Sequence, residues 1–98
     1  MASQGPVTGA FTSTGLSAPV VLERATAFNV SVSGFGSASV ELERSFDDGA
    51  TWVTAKTFVA DYEGVGFEPE AGVQYRYHCT AYTSGTIAYR LGTRAIIG

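Results

Sequence analysis

The sequence is poor in cysteine and histidine. It contains one residue of each type, Cys79 and His78, in a chain of 98 residues. A single cysteine cannot form an internal disulfide bond, so we expect the chain to fold in a reducing cytoplasm. Neighbouring side chains in a strand point to opposite faces, so these two residues are not expected to meet as a catalytic pair.

Charged residues are also scarce, at 15% of the chain. Six basic and nine acidic residues give a net charge of −3, with no cluster of lysines or arginines. Such a surface repels phosphate backbones, which argues against a nucleic-acid partner. No apolar run approaches the ~20 residues of a transmembrane helix, so we expect no membrane association. Residues 1–6 have neither the basic nor the apolar region of a signal peptide.

What the sequence does contain is an alternation of apolar and polar residues with a period of two. It occurs in residues 28–33, 40–43, 73–82 and 87–91. Alternation of this kind places one set of side chains on a buried face of a sheet and the other on an exposed face. Twelve glycines interrupt the chain, and no helical pattern survives between them.

The alternation predicts an all-β fold. We expect a single antiparallel β-sandwich of about seven or eight strands, immunoglobulin-like or jelly-roll-like, over residues 7–98. Residues 1–6 are expected to form an extended N-terminal arm. The predicted loop at 60–72 is the longest and carries at most a small strand at 65–67. The predicted strands cover residues 7–13, 16–22, 26–33, 38–46, 51–59, 73–83 and 86–91, with a short one at 94–97.

The tyrosines divide into two groups by their position in the alternation. Tyr75, Tyr77 and Tyr89 are predicted to lie inside, and Cys79 shares their face as a small core residue. Tyr62 and Tyr82 are predicted to lie at the surface. The segment Tyr77-His78-Cys79 also resembles strand F of immunoglobulin domains, but no second cysteine exists to pair with Cys79. That likeness supports a sandwich and no antibody-like function.

One local motif stands out, Ser45-Phe46-Asp47-Asp48-Gly49-Ala50-Thr51-Trp52. It fits the pattern S-x-D-x-G-x-T-W and resembles the Asp-box of sialidases and other β-propeller proteins. The resemblance implies a structural hairpin that starts at Ser45 and includes Thr51. In it Asp47 accepts hydrogen bonds from turn amides, Gly49 permits the turn, and Trp52 anchors it. Asp-Gly is itself a hairpin signal, because both central residues of the tight turn need positive φ.

The motif does not make the chain an enzyme. A sialidase needs several propeller blades of about 40–45 residues each, together with an arginine cluster, and this chain has neither. We predict no catalytic residue and no cofactor. Asp47 and Asp48 are adjacent and would point apart in a strand, so they do not follow the spacing of a calcium loop, and we predict no metal site. We expect Trp52→Ala to cost about 3–5 kcal/mol by opening a core cavity.

Taken as a whole, the chain resembles small β-sandwich structural proteins of tailed bacteriophages. The residues that carry the likeness are 40–52, 69–76 and 79–90, and it extends over 8–91. It implies a non-enzymatic virion protein, namely a capsid decoration or cement protein that binds coat-subunit junctions and stabilises the head. Its partners would be the major capsid protein and neighbouring copies of itself in a homotrimer. It would be made in the host cytoplasm and end on the capsid surface.

The candidate partner contacts come from the arm and from surface aromatic residues. They are Ser3, Gln4, Pro6, Tyr62, Phe67 and Tyr82. Two other functions stay open at this point. One is a tail or fibre adaptor in the same kind of virion. The other is a carbohydrate-binding module that uses Trp52 or exposed tyrosines as a stacking platform.

Overall fold

The computed structural model describes residues 7–22 and 26–93, and these form seven strands in one antiparallel sheet. The predicted all-β antiparallel fold is confirmed. Within the described ranges no helix is long and apolar enough to cross a membrane. The predicted arm at 1–6 and the predicted strand at 94–97 lie outside the described residues. The strands are β1 Val7–Phe11, β2 Gly15–Leu16, β3 Val20–Leu22, β4 Thr26–Ser45, β5 Val53–Phe58, β6 Tyr62–Glu68 and β7 Val73–Thr93.

Two long strands form the centre of the sheet. β4 has 20 residues and β7 has 21, and they pair along their lengths from Phe28 opposite Thr93 to Ser45 opposite Gln74. The prediction of two separate strands in place of each long one is wrong. The glycines between the predicted pieces bend the strands without ending them.

Shorter strands line both outer edges of this pair. β1, β2 and β3 follow one another along β7, whereas β6 and β5 pair with the two halves of β4. The predicted loop at 60–72 is therefore largely wrong, because β6 takes up seven of its residues. The small strand predicted at 65–67 lies within β6.

The sheet folds over on itself at the middle of β4 and β7. The pairing register shifts several times between Ser33 and Val40. Gly85, opposite this region, has a φ of 112°, and a Cβ atom there would lie 2.5 Å from the Gly36 nitrogen. Only glycine fits such a conformation and such an approach. The fold-over stacks the first half of β4, with β6 and β1, onto the second half, with β5, β2 and β3.

The core lies between the two halves and is rich in aromatic rings. Phe28 and Tyr75 come from opposite halves, and their ring centroids are 4.5 Å apart. Tyr77 and Cys79 are fully buried, as predicted, and burial raises the pKa of the Cys79 thiol. The buried apolar residues are Phe11, Val20, Leu22, Phe28, Val30, Val32, Val40, Leu42, Phe58, Val73, Tyr75, Tyr77, Cys79, Ile87 and Leu91.

Two tyrosines depart from their predicted places. Tyr89 is only partly buried, because it packs over Phe11 near the sheet edge. Tyr82 is half-buried against the core, where the prediction placed it at the surface. It lies at the bend of β7, and its hydroxyl donates a hydrogen bond to the Gly85 carbonyl. Tyr62 is exposed, as predicted.

Candidate functional site

The connection from β4 to β5 is closed by a set of short hydrogen bonds. The Ser45 hydroxyl donates to Asp47 Oδ1 at 2.8 Å and accepts from the Gly49 amide at 2.8 Å. Asp47 Oδ1 also accepts from the Thr51 amide at 2.9 Å, and its Oδ2 accepts from the Thr51 hydroxyl. These bonds, chiefly those from Thr51, lower the pKa of Asp47 to about 2.

The turn itself has the unusual backbone that the Asp-Gly pair predicts. Asp48 has a φ of 66° and Gly49 a φ of 90°. Trp52 closes the turn by donating its indole N–H to the Gly49 carbonyl at 3.0 Å. Asp47, Gly49 and Trp52 thus occupy the positions that a braced hairpin requires.

Trp52 lies on the outer face of the sheet and not in the core. It is half-buried, and the guanidinium carbon of Arg76 lies 4.0 Å from the centroid of its ring. Such stacking covers one face of the indole. The prediction that Trp52→Ala opens a core cavity is therefore wrong, because the indole ring packs on Arg76 and on the turn.

The stacked arginine belongs to a polar cluster on the outer face of β4 and β7. Arg76 Nε donates to Glu43 Oε1 at 2.8 Å, and His78 Nδ1 lies 3.0 Å from Glu43 Oε2. Glu43 is only 8% exposed, although its place in the alternation predicted an exposed residue. Burial acts to raise the pKa of Glu43, but the hydrogen bonds to His78 and Arg76 outweigh it and the pKa is lowered.

A second carboxylate completes this cluster. Glu41 lies directly opposite His78 in the sheet, and its Oε1 accepts a hydrogen bond from the Thr54 hydroxyl at 2.8 Å. Donor atoms of Glu41, Glu43 and His78 all lie within 4.8 Å of one another. This group was not predicted from the sequence, because its residues come from two strands that are far apart along the chain. The available signal was Glu-x-Glu on one strand and a histidine on its partner.

A buried carboxylate joins the two halves of the sandwich. Glu68, at the end of β6, is 0% exposed and accepts a hydrogen bond from the Tyr75 hydroxyl at 2.7 Å. It also accepts from the Glu70 amide at 3.0 Å and from Arg44. Burial acts to raise the pKa of Glu68, but these donors lower it overall. Burial, together with the bond to Glu68, raises the pKa of Tyr75 to about 12.

One sheet edge carries most of the exposed large apolar side chains of the described residues. We call β5, β6 and the link between them, residues 53–68, the edge ribbon. Five of the seven such side chains belong to it. Val65 is 75% exposed and Phe67 is 63% exposed. They share one face of β6 because they are two residues apart, and the Phe28 ring packs on Gly66 from the opposite face. The five are Val53, Val59, Tyr62, Val65 and Phe67.

The predicted partner contacts are distributed unevenly over the structure. Tyr62 and Phe67 both lie on β6 in the edge ribbon and are exposed. Tyr82 is half-buried at the bend of β7, a strand that does not pair with β5 or β6. Ser3, Gln4 and Pro6 lie outside the described residues.

A shallow groove of about 230 Å³ lies between the β1–β2 bend, at residues 10–16, and Tyr89. The side chains that line it are uncharged, and none is a histidine or cysteine. The groove therefore presents hydroxyl and apolar groups to any molecule that enters it.

Comparison with known proteins identifies no relative of this chain. The chain matches no protein-family model, no curated protein and no solved structure. The resemblance to phage sandwich proteins stays a prediction.

Proposed function

We propose that this protein is a capsid decoration or cement protein of a tailed bacteriophage, which binds coat-subunit junctions through its edge ribbon. The observation that carries the proposal is the concentration of exposed apolar side chains on residues 53–68. Large apolar groups at one sheet edge favour coverage by a partner. The resemblance described above supplies the identity of that partner, the major capsid protein.

The strand edge itself supports the proposal. Edge strands expose backbone groups that can pair with another chain, and proteins usually protect them with charge or proline. β6 instead presents Val65 and Phe67 beside a single exposed carboxylate, that of Glu63. A coat strand that pairs with β6 would gain main-chain hydrogen bonds and bury both side chains.

The rest of the fold suits a cement role. The hydrogen-bonded hairpin holds the turn between β4 and β5, and the Glu68 cluster fixes the end of β6 to β4 and β7. Such a rigid module can add buried area where coat subunits meet and so resist the outward pressure of packed DNA. The net charge of −3 keeps free copies apart before assembly. Assembly as a homotrimer would repeat the contact around a local symmetry axis.

An add-back experiment tests the proposed contact. Purified protein is mixed with capsids that lack it, and bound protein is measured after sedimentation. We expect Phe67→Glu to weaken binding by roughly tenfold or more, since truncating or charging an interface anchor has effects of that size. Leu16→Glu is the matched control, because Leu16 is a 53% exposed apolar residue on the opposite sheet edge.

Two results would overturn the proposal. Equal binding by wild type and both variants would exclude the edge ribbon as the contact. Wild-type protein that does not bind the capsids, yet dimerises through β6 in ultracentrifugation, would show that the ribbon serves self-association only.

A further inference from the structure

We infer that Glu41, Glu43 and His78 form a binding site for one Zn²⁺ ion on the outer face of β4 and β7. None of the three residues belongs to the edge ribbon, and the inference does not depend on the proposed capsid role. It is a mixed site, with one imidazole and two carboxylates. Imidazole together with carboxylate favours zinc and similar transition metals over Mg²⁺ and Ca²⁺, which prefer oxygen ligands alone.

The backbone places the three side chains on one surface. Glu41 and Glu43 are two residues apart on β4, so they point to the same face of the sheet. His78 lies directly opposite Glu41 on β7. These two strands are the central pair of the sheet, so the positions of all three Cα atoms are fixed by hydrogen-bonded neighbours on both sides.

The distances between the candidate ligand atoms, the imidazole nitrogen and the carboxylate oxygens, are close to those of a zinc centre. Two ligands that are each about 2.0–2.1 Å from zinc at a tetrahedral angle lie about 3.3 Å apart. His78 Nδ1 and Glu43 Oε2 are 3.0 Å apart, and the three donor atoms lie within 4.8 Å of one another. Small side-chain rotations would bring all three to one ion, and water would fill the fourth position.

Neighbouring groups hold both carboxylates in place. Arg76 binds Glu43 through Oε1, so Oε2 is the oxygen that faces the imidazole. Thr54 binds Glu41 through Oε1. Partners of this kind orient metal ligands and strengthen binding. The two carboxylates carry two negative charges against one positive charge on Arg76, so the cluster still attracts a dication.

The ion would connect the two central strands on their outer face. A ligand that binds only the folded state stabilises that state by mass action. Zinc should therefore raise the unfolding temperature of the protein. The nearby indole of Trp52, the only tryptophan, stacks on Arg76 and provides a spectroscopic reporter.

The test is zinc titration of the tag-free protein by calorimetry, with thermal unfolding at each zinc concentration. We expect one ion per chain and a rise in unfolding temperature. His78→Gln and Glu41→Gln should each weaken binding by roughly tenfold or more, while leaving the metal-free unfolding temperature close to that of wild type. Glu63→Gln is the matched control, because Glu63 is a carboxylate on β6 outside the cluster and should not alter binding. Cu²⁺ should quench Trp52 fluorescence in wild type and much less in His78→Gln.

The inference fails if the protein shows no saturable zinc binding. It also fails if His78→Gln or Glu41→Gln binds zinc as tightly as wild type, since the ion would then reside elsewhere. The site would be established if His78→Gln and Glu41→Gln both lose zinc binding and Glu63→Gln retains it.

Discussion

Tyr77 and Arg90 belong to the same strand, and the Tyr77 hydroxyl donates a hydrogen bond to the Arg90 carbonyl oxygen at 2.9 Å. Thirteen residues of a straight strand would separate the two Cα atoms by about 43 Å, far beyond the reach of a tyrosine. The bond therefore exists only because β7 folds back on itself. The same hydroxyl accepts a hydrogen bond from the Ser31 amide at 3.1 Å, so it joins both central strands across the core.

Tyr77→Phe should destabilise the protein by about 1–3 kcal/mol, since it removes the hydrogen bonds of the buried hydroxyl to the Ser31 amide and the Arg90 carbonyl. The ring stays in place, so core packing is preserved and the lost hydroxyl is the main change. Urea unfolding measures the effect. Tyr62→Phe is the control and should change stability by less than about 0.5 kcal/mol, because Tyr62 is exposed. Equal stability of Tyr77→Phe and wild type would contradict the role of this hydroxyl in holding the fold-over.

The hairpin makes the free energy of unfolding depend on pH in the acidic range. The pKa of Asp47 is about 2 in the folded chain, against an ordinary value of 3.8, because Thr51 and Ser45 donate to its carboxylate. A lowered carboxyl pKa means that the stabilising contribution is complete above the ordinary pKa and is lost as pH falls through the folded one. Asp47→Asn should therefore be less stable than wild type near neutral pH, and the difference should shrink as pH falls from about 4 to about 2.

Unfolding free energies of both proteins over that pH range give the measurement. Subtracting the variant removes the contributions of the other carboxyls with lowered pKa, those of Glu43, Glu63 and Glu68. A difference that is constant with pH would show that Asp47 does not hold the turn through its charge.

Glu68→Gln should destabilise the protein by about 2–3 kcal/mol. Breaking a fully buried ion pair costs about 3–5 kcal/mol, and the cost here is smaller because the Arg44 side chain is 29% exposed. The double variant Arg44→Met with Glu68→Gln should recover part of the loss, since no unpaired charge remains. Chemical unfolding of wild type and the two variants checks this. A double variant no more stable than Glu68→Gln alone would show that the pairing of Arg44 contributes little.

Trp52→Ala should cost about 1–2 kcal/mol, which is typical of a partly buried side chain and well below the loss from a core cavity. The lost interactions are the stacking on Arg76 and the hydrogen bond to Gly49. The measurement is urea unfolding, compared with Trp52→Phe, which keeps an aromatic ring over the arginine. A loss as large as that of a buried aromatic residue would mean that the indole supports the core after all.

The strand content could be predicted from sequence because the inward side chains of β4 and β7 are apolar. Of β6, only a small strand at 65–67 was predicted, because the inward positions of β6 include Gly64, Gly66 and the charged Glu68. Phe28 fills the space over Gly66 from the neighbouring strand, so the apolar residues of β6 face outward. A pattern read along one strand does not contain that information.

The candidate sites divide in the same way. The Asp47 hairpin is local, so its spacing along the chain was enough to predict its hydrogen bonds. The cluster of Glu41, Glu43 and His78 depends on the register between β4 and β7. That register shifts at the bend, and nothing in the order of residues fixes the shift.

If the protein is a stoichiometric part of the capsid surface, as we propose, its copy number in purified particles will show it. Quantitative peptide mass spectrometry of gradient-purified virions from the source compares this chain with the major coat protein. The cement role predicts a ratio near parity, or near one trimer per few coat subunits. A handful of copies per particle would move the protein to the tail or fibre. Absence from the particles would contradict the virion role and favour a carbohydrate-binding module.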